Sequence, residues 1–399
     1  MPNSRAVSSQ SRARIAHVIT EFVVGGAVDN TLLSCAGLDR ACYEVHAIGG
    51  PGAWEQRARD SADRVYVVPN LVRPIRPCSD IRAIWDLVQI FRRERYDIVH
   101  THSSKAGLLG RVAARLAGVP WVVHTIHGFP FNDRTLSPLV RKALLWSERL
   151  AARVTDQLIV VATPNVAEAA KRGIASAREI EVVHSGIDLR RFSDRPDRLA
   201  ARRRLELPET GLVVGTVGRL SPCNAPDVFV EVARRVSAIR SNATFVIVGE
   251  GELAEETWRA AGGHPAIVFL GHRGDVPTVL PAFDVFLFPI RWGGLGRALT
   301  EAMIVGLPVV ASATNGVPEI VQHDETGLLA PVDDIDSFVT AVVRLLDDGA
   351  ERTRLGDAAQ RRVIPAFGAD VMVDRLAALY ERGLGRTLRP TGSRDRAVG

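Results

Sequence analysis

The residues with the clearest chemical signature are glycines placed directly after two buried segments. Each segment, 285–288 and 309–311, is a short apolar run typical of a strand in a parallel sheet. The turns that follow contain Gly293, Gly294, Leu295 and Gly296 in one case, and Asn315 and Gly316 in the other. Helices are predicted to start after both turns, so their unpaired N-terminal amides meet at one sheet edge. Such amides bind phosphate groups, which predicts a diphosphate site there.

Arginine is the cation available to this site. Lysine occurs at only three positions, all in the first half of the chain: Lys105, Lys142 and Lys171. Arg219 follows another predicted strand, and a guanidinium group can bind two phosphate oxygens at once. Arg297 comes directly after the first glycine turn, with Glu301 one helical turn later. We therefore expect arginine and backbone amides to hold the diphosphate together.

A longer pattern surrounds these residues. The run G-L-G-R-A-L-x-E-A-M-x-x-G-L-P-V-V-A, followed by N-G-V-P-E-I-V and T-G-L-L, resembles the donor-binding half of the retaining glycosyltransferases of family four. The resemblance extends from about residue 15 to about residue 380. It implies two Rossmann-like doubly wound parallel-sheet domains that face each other across a cleft, the GT-B fold. A nucleotide-diphosphate sugar would bind the second domain, with Gly249 beside the nucleobase, and a glycan or lipid-linked acceptor would bind the first.

Two positions depart from the family's pattern. The family places a lysine five residues after the arginine, where this chain has Asn224, and a first glutamate where it has Gly293. The second glutamate, which the resemblance places by the ribose, is kept as Glu301. These departures leave open a non-catalytic relative that serves as a binding or regulatory subunit. A sugar-nucleotide epimerase on the same architecture is a third interpretation.

The first half of the chain begins with a strand and a glycine pair. Residues 14–20 form a buried run, and Gly25 and Gly26 precede an amphipathic segment. Strand, glycines and helix form the first turn of a doubly wound sheet. In the resembling family this loop lies at the cleft, so Gly25 and Gly26 are expected near the donor phosphates or the acceptor.

Histidines gather at the ends of two predicted strands. His100 and His102 share one face of the first of these strands and could bind a metal together. No carboxylate or cysteine stands at a familiar spacing from them, so no metal or other cofactor is expected. Three other histidines are interpreted as core residues bonded to backbone carbonyls: His17, His46 and His124.

His127 differs because a Gly-Phe-Pro turn follows it, at the edge where open α/β sheets bind ligands. A histidine there can bond a sugar hydroxyl or move a proton near neutral pH. The resemblance places His127 on the family's active-site histidine, and with Arg219 it forms the predicted catalytic pair. The acceptor side is expected to include His102, Ser103, Lys105 and Phe129, although Ser103 could equally be an ordinary helix N-cap.

Composition and charge limit the class of protein. The 399 residues are 46% hydrophobic and 24% charged, as in a soluble globular protein. Residues 1–190 hold 25 Lys and Arg against 18 Asp and Glu, while the remainder holds 25 against 27. The first half is therefore the candidate for an acidic surface or substrate, and no nucleic-acid partner is expected.

The predicted organisation follows from these patterns. The acceptor-side domain covers 14–190, a linker rich in Arg, Asp and Pro covers 191–208, and the sugar-nucleotide domain covers 209–368. A helix at 369–384 would cross back to the first domain, as in the resembling family. Residues 1–13 and 385–399 are expected to be disordered tails.

The predicted location is the cytoplasm, with possible contact at a membrane surface. Four cysteines without a CxxC pair indicate a reducing compartment. No apolar run approaches the roughly 20 residues that span a bilayer. The predicted helix at 135–154 is amphipathic and basic. Such a face is usually solvated, and a peripheral contact with lipid is the alternative, in keeping with polysaccharide or glycolipid biosynthesis.

Overall fold

The structure is a computed structural model that describes residues 12–385. The predicted tails, 1–13 and 385–399, lie outside this range except for their innermost residues, and Ala13 already belongs to the first strand. Across the described residues, no helix is both long enough and apolar enough to cross a membrane.

The first domain contains a sheet of seven parallel strands. They are β1 Ala13–Glu21, β2 Tyr43–Gly50, β3 Arg64–Val67, β4 Ile98–His102, β5 Trp121–Ile126, β6 Gln157–Val160 and β7 Ile180–Val182. Their order is β3-β2-β1-β4-β5-β6-β7. The helices between them are α1 Gly26–Gly37, α2 Glu55–Ser61, α3 Pro77–Glu94, α4 Ser104–Ala117, α5 Pro138–Ala152 and α6 Pro164–Lys171. Neighbouring residues of β1 enter different core clusters, Ile15 with α1 and Ala16 with α3 and α4, so both sheet faces are covered.

The second domain follows helix α7, Arg198–Arg204, and repeats the plan with six parallel strands. These are β8 Leu212–Val217, β9 Ala243–Val248, β10 Ile267–Phe269, β11 Val285–Phe288, β12 Val309–Ser312 and β13 Leu328–Ala330, in the order β10-β9-β8-β11-β12-β13. Its helices are α8 Pro226–Ile239, α9 Ala254–Ala261, α10 Val276–Val279, α11 Arg297–Ile304, α12 Val317–Ile320, α13 Ile335–Asp347 and α14 Gly349–Val363.

Each sheet has one point where the strand order reverses. The first reverses at β1, which lies between β2 and β4, and the second at β8, which lies between β9 and β11. Ligands of open α/β sheets bind outside the carboxyl ends of the strands at such points. The prediction of two Rossmann-like parallel-sheet domains in a GT-B arrangement is confirmed.

The segment 191–208, predicted as a linker, is mostly exposed, but it contains a helix and some buried residues. It contains α7, whose Arg202 is buried and donates from Nη2 to the Asp284 carboxylate at 2.5 Å. Arg202 also donates to the carbonyl oxygens of Ala282 and Gly211. A guanidinium group with all its partners inside the protein can be buried, so an arginine-rich segment is not necessarily solvent-exposed.

The last helix, α15 Ala369–Gly383, returns to the first domain and packs against α1. A Cβ on Gly37 would lie 2.5 Å from the Val373 side chain, so glycine permits this close approach. Leu376 and Tyr380 are buried in the core of the first domain. The chain therefore joins the two domains twice.

Candidate active site

Two loops from different domains meet at the carboxyl edges of the sheets. The loop after β5 carries His127, and the loop after β11 carries Gly293 and Gly294. A Cβ on Gly294 would lie 2.4 Å from the carbonyl oxygen of His127, a contact that only glycine permits. Gly316, after β12, is similar, since a Cβ there would lie 2.8 Å from Ala162 of the first domain. Gly294 and Gly316 therefore allow the two domains to come into close contact.

His127 is half-buried and lines two cavities, one in the first domain and one between the two domains. Its Nε2 lies 3.2 Å from Nδ1 of His102, which is buried behind it. Burial lowers the pKa of His127 to about 4, so the ring is neutral at pH 7. A neutral imidazole offers one donor and one acceptor to a ligand or neighbour.

The first-domain cavity has a volume of about 270 Å³. Its lining includes His127, Ser103, Phe129 and Glu148. Ser103 occupies the N-cap position of α4, but its hydroxyl bonds Thr20 at 2.7 Å instead of capping the helix. Ser103 and Phe129 therefore line this cavity, and their role on the acceptor side stays a prediction.

Two of the predicted acceptor-side residues do not line this cavity. His102 is buried between His127 and His17. The Lys105 ammonium group lies 2.6 Å from the Asp80 carboxylate and also donates to the carbonyl of Pro74. Lys105 faces α3 because Asp80 provides a carboxylate partner there. The spacing of residues in α4 does not reveal this partner.

The interdomain cavity has a volume of about 160 Å³ and is lined from both sides. Gly26 contributes from the first domain, and four predicted residues contribute from the second: Gly294, Leu295, Gly296 and Arg297. Gly25 is the N-cap residue of α1, next to this lining. Gly296 has φ +87°, a conformation that favours glycine, and immediately precedes α11. The unpaired amides of the first turn of α11 are thus placed beside the cavity.

Arg297 is held by carboxylates instead of pointing free into the cavity. Its guanidinium group pairs with Asp29 of α1 and donates from Nε to Glu301 at 3.1 Å. Arg57 pairs with the same Asp29 carboxylate. Glu301 is buried, and burial raises its pKa despite the nearby Arg297. This buried group of charges joins the two domains next to the glycine turn.

Family profiles match both domains. One described as a Glycosyl transferase 4-like domain matches residues 25–186, and one described as Glycosyl transferases group 1 matches residues 211–348. A protein of Escherichia coli, named UDP-Gal:alpha-D-GlcNAc-diphosphoundecaprenol alpha-1,3-galactosyltransferase, is 33% identical over 380 residues, 94% of this chain and 98% of that protein. The chain belongs to the group 1 glycosyltransferases.

A second relative agrees with this assignment, and a solved structure has the same fold. The 2-deoxystreptamine glucosyltransferase of Streptomyces kanamyceticus is 30% identical over 372 residues, 86% of this chain and 95% of that protein. The crystal structure of Anabaena Alr3699/HepE in complex with UDP and glucose superposes with a TM-score of 0.80 at 20% identity, covering 93% of this chain and 100% of that one. The predicted family and the predicted enzyme class, a hexosyltransferase-type glycosyltransferase, are confirmed.

Arg219 of this glycosyltransferase lies outside both cavities. Its side chain is 59% exposed and pairs with Glu252 at 2.9 Å. Asn224 donates from its side-chain amide to the Arg219 carbonyl at 2.6 Å, which fixes the loop after β8. Gly249 has φ +143° and lies against the Gly218 carbonyl, where a Cβ would be 1.8 Å away. The predicted residues Arg219, Asn224 and Gly249 thus form one group at the end of β8 and β9.

The remaining predicted donor-side residues border this region. A Cβ on Gly293 would lie more than 4 Å from every described residue other than its chain neighbours, so the position of the missing glutamate is open space. Asn315 has φ 50° and donates from its side chain to the Thr314 hydroxyl. Arg291, which precedes the first glycine turn, forms ion pairs with Asp227 and Asp333.

Some charged residues near the cavities of this glycosyltransferase were not singled out from the sequence. Arg111, which is fully buried, lies 2.9 Å from the Glu148 carboxylate, and Glu148 lines the first-domain cavity. Asp29 was missed as well, since it looks like an ordinary first-turn acid of α1. In both cases the ion-pair partner lies far away in the sequence, so the pair becomes evident only from the burial of the charged groups in the structure.

Three buried histidines, His17, His100 and His102, have ligand atoms within 4.8 Å of one another and could hold a metal. Each of their ring nitrogens already has a hydrogen-bond partner, so a metal would have to displace those bonds. The expectation of no metal stays a prediction. His124 bonds the Thr101 carbonyl at 3.1 Å as expected, whereas His17 and His46 bond side chains instead.

Proposed function

We propose that this glycosyltransferase moves a hexose from a nucleotide-diphosphate sugar to a lipid-linked glycan acceptor, with retention of anomeric configuration. The observation that carries the proposal is that His127 lines both cavities. A donor in the interdomain cavity and an acceptor in the first-domain cavity would therefore meet at this residue. Retention follows the family likeness, and the product would enter polysaccharide or glycolipid synthesis.

The donor would place its diphosphate at the start of α11, with the leaving group on the second domain. Backbone amides after Gly296 and the Arg219 guanidinium would neutralise charge as the glycosidic bond breaks, without requiring a metal. Arg219 must leave Glu252 to do so, which its exposed position allows. Solved relatives of the same fold hold UDP and UDP-glucose, which supports a nucleotide sugar as donor.

The acceptor would enter from the membrane side of the first domain. Helix α5 contributes Glu148 to the cavity, while on its solvent side Leu139 is 81%, Trp146 50% and Leu150 55% exposed. Exposed apolar side chains combined with the basic residues of this helix suit an anionic lipid surface. The Escherichia coli relative is named for an undecaprenol-linked acceptor, which supports a lipid-linked acceptor here.

A direct assay tests the proposal. The full chain is incubated with a panel of UDP- and GDP-sugars and a polyprenyl-diphosphate-linked GlcNAc acceptor, and the product is analysed by mass spectrometry and NMR. We expect release of nucleotide that depends on the acceptor, and a glycosidic bond with the donor's anomeric configuration. An inverted linkage would contradict retention, and free or isomerised sugar made without acceptor would favour epimerase activity.

A non-catalytic binding or regulatory role is the second candidate. It is favoured by Asn224 and Gly293, and by the carboxylate partners of Arg219, Arg291 and Arg297. Calorimetric titration with the same sugar nucleotides separates the two functions. Binding together with turnover supports the transferase, whereas absence of binding to every donor supports the second candidate.

A further inference from the structure

A continuous chain of hydrogen bonds runs from His127 into the core of the first domain. His127 Nε2 lies 3.2 Å from His102 Nδ1, and His102 Nε2 lies 3.0 Å from His17 Nδ1. His17 Nε2 lies 3.4 Å from the Tyr380 hydroxyl, which is 2.5 Å from His100 Nδ1. The chain ends where His100 Nε2 meets the Thr125 hydroxyl at 2.7 Å.

The four histidines of this hydrogen-bond chain are neutral. Burial lowers the pKa of His17 to about 3 and that of His127 to about 4, and it holds His100 and His102 well below their ordinary value. Burial also raises the pKa of Tyr380, so its hydroxyl keeps its proton. A neutral imidazole has one N–H donor and one acceptor nitrogen, and which nitrogen carries the proton is set by the bond at the other.

Each hydrogen bond needs one donor and one acceptor, so the bonds of this hydrogen-bond chain can all point one way or all point the other way. If one ring changes its tautomer, every other member must change with it, or two donors or two acceptors would face each other. The phenolic hydroxyl has one proton and two neighbours, and it lies much closer to His100 than to His17. The proton therefore points to His100, and His17 Nε2–H donates to the phenolic oxygen.

The direction at Tyr380 fixes the tautomer of His127. His17 Nδ1 must accept from His102 Nε2–H, and His102 Nδ1 must accept from His127 Nε2–H. Nδ1 of His127 is then an unprotonated acceptor with no partner among the described residues, available to a hydroxyl in the cavities that His127 lines.

We propose that Tyr380, on the helix that returns from the second domain, is a positioning residue that sets the tautomer of His127 through His17 and His102. The proposal rests on the proposed function only in giving that tautomer a role in transfer. Its physical core is the direction of a buried hydrogen-bond chain, which can be measured without any substrate. The C-terminal helix then contributes to the active site although no residue of α15 lines either cavity.

The test uses Tyr380→Phe, with Tyr96→Phe as its matched control. Tyr96 is also a buried hydroxyl bonded to a histidine, at 2.8 Å from His46 Nδ1, but it lies outside the chain. Nitrogen-15 NMR of full-length protein with labelled histidine reports which ring nitrogen of His127 carries the proton. We expect the Nε2–H form in the wild type and in Tyr96→Phe, and a mixture of tautomers in Tyr380→Phe.

Kinetics supply the second measurement. Tyr380→Phe is expected to lower kcat about tenfold while KM for the donor changes less than about twofold, since donor contacts remain intact. Thr125→Val, a change of similar shape at the far end, keeps the inference testable if Tyr380→Phe does not fold. It removes the terminal acceptor and should raise the population of the Nδ1–H form of His127.

Three results would overturn the inference. One is an Nδ1–H tautomer of His127 in the wild type, and another is an unchanged tautomer in both chain variants. The third is one equivalent of zinc bound by His17, His100 and His102 in the purified protein, because the metal would occupy the same nitrogens. If the wild type transfers no sugar at all, the proposed function fails, while the tautomer measurement still decides this inference.

Discussion

Arg297 of α11 forms a buried ion pair with Asp29 of α1, so a helix of the second domain is fastened to a helix of the first directly beside the interdomain cavity. The Asp29 side chain is 4% exposed, and Arg57 shares its carboxylate. The position of α11, whose amides face the proposed diphosphate, therefore depends on a carboxylate from the other domain.

Replacing Asp29 by alanine should lower the free energy of unfolding by about 3 kcal/mol, because two guanidinium groups would lose their partner in a largely desolvated place. Urea unfolding followed by circular dichroism measures the change. Asp347→Ala is the matched control, since its pair with Arg240 is exposed. It should cost less than about 1 kcal/mol. Equal costs for the two variants would show that the interdomain pair contributes nothing special.

Gly294→Ala should lower kcat/KM for the donor about a hundredfold. Its Cβ would meet the His127 carbonyl at 2.4 Å, so the two loops would have to separate and the substrates would be misplaced. The neighbouring Gly293→Ala is the control, because its new Cβ would have no described residue within 4 Å except its chain neighbours. We expect less than a twofold effect there. Similar losses in both variants would indicate that glycine flexibility matters more than the contact.

Arg219→Ala should reduce kcat by about a hundredfold, the usual effect of losing one group that stabilises developing charge. Glu252→Gln should raise the affinity for the donor, because it releases Arg219 from its ion pair. Steady-state kinetics and calorimetry on both variants measure these changes. An Arg219→Ala enzyme with unaltered kcat would remove Arg219 from the mechanism.

Asn224→Lys tests the most evident departure from the family. Asn224 is half-exposed and close to Arg219, so a lysine there could extend toward a donor phosphate. We expect kcat/KM to rise about tenfold, within the range of a charged hydrogen bond. Asn242→Lys, at an exposed position just before β9, controls for added positive charge. No gain in the first variant would mean that the chain has replaced the lysine by other contacts.

Much of the fold could be predicted from buried runs bounded by turn residues. The strand at 285–288 has the predicted bounds, because a short apolar segment followed by Pro and Gly allows little else in an α/β protein. Helix α7 was missed because its arginines resemble a solvated linker. Arg202 is buried by Asp284, 82 residues later, and local sequence carries no sign of such a partner.

The glycines at the interdomain cavity could be predicted from the sequence, but the ion pairs of the nearby arginines could not. Gly26 and Gly294 line the interdomain cavity, as the strand-turn-helix pattern indicated. The carboxylates that hold Arg219 and Arg297 could not be foreseen, since they come from other turns and from another domain. His102 was placed on the acceptor side, yet its ring is buried between His17 and His127, because helices cover both faces of β4.

The buried histidines predict a steep loss of stability in mild acid. Burial lowers the pKa of five of them in the folded state: His17, His100, His102, His124 and His127. Their ordinary pKa is about 6.5, so below that pH the unfolded chain binds protons that the folded protein does not. Stability is therefore unaffected by these groups above pH 6.5 and falls as the pH drops toward 4.

Each such histidine lowers the free energy of unfolding by about 1.4 kcal/mol per pH unit, so five together should unfold a protein of ordinary stability near pH 5. Urea titrations between pH 7.5 and pH 5 measure the slope. His124→Gln should reduce it by one histidine's share, whereas His323→Gln, at an exposed position, should not. A flat profile through this interval would contradict neutral burial of these rings, and with it the hydrogen-bond directions that depend on neutral histidines.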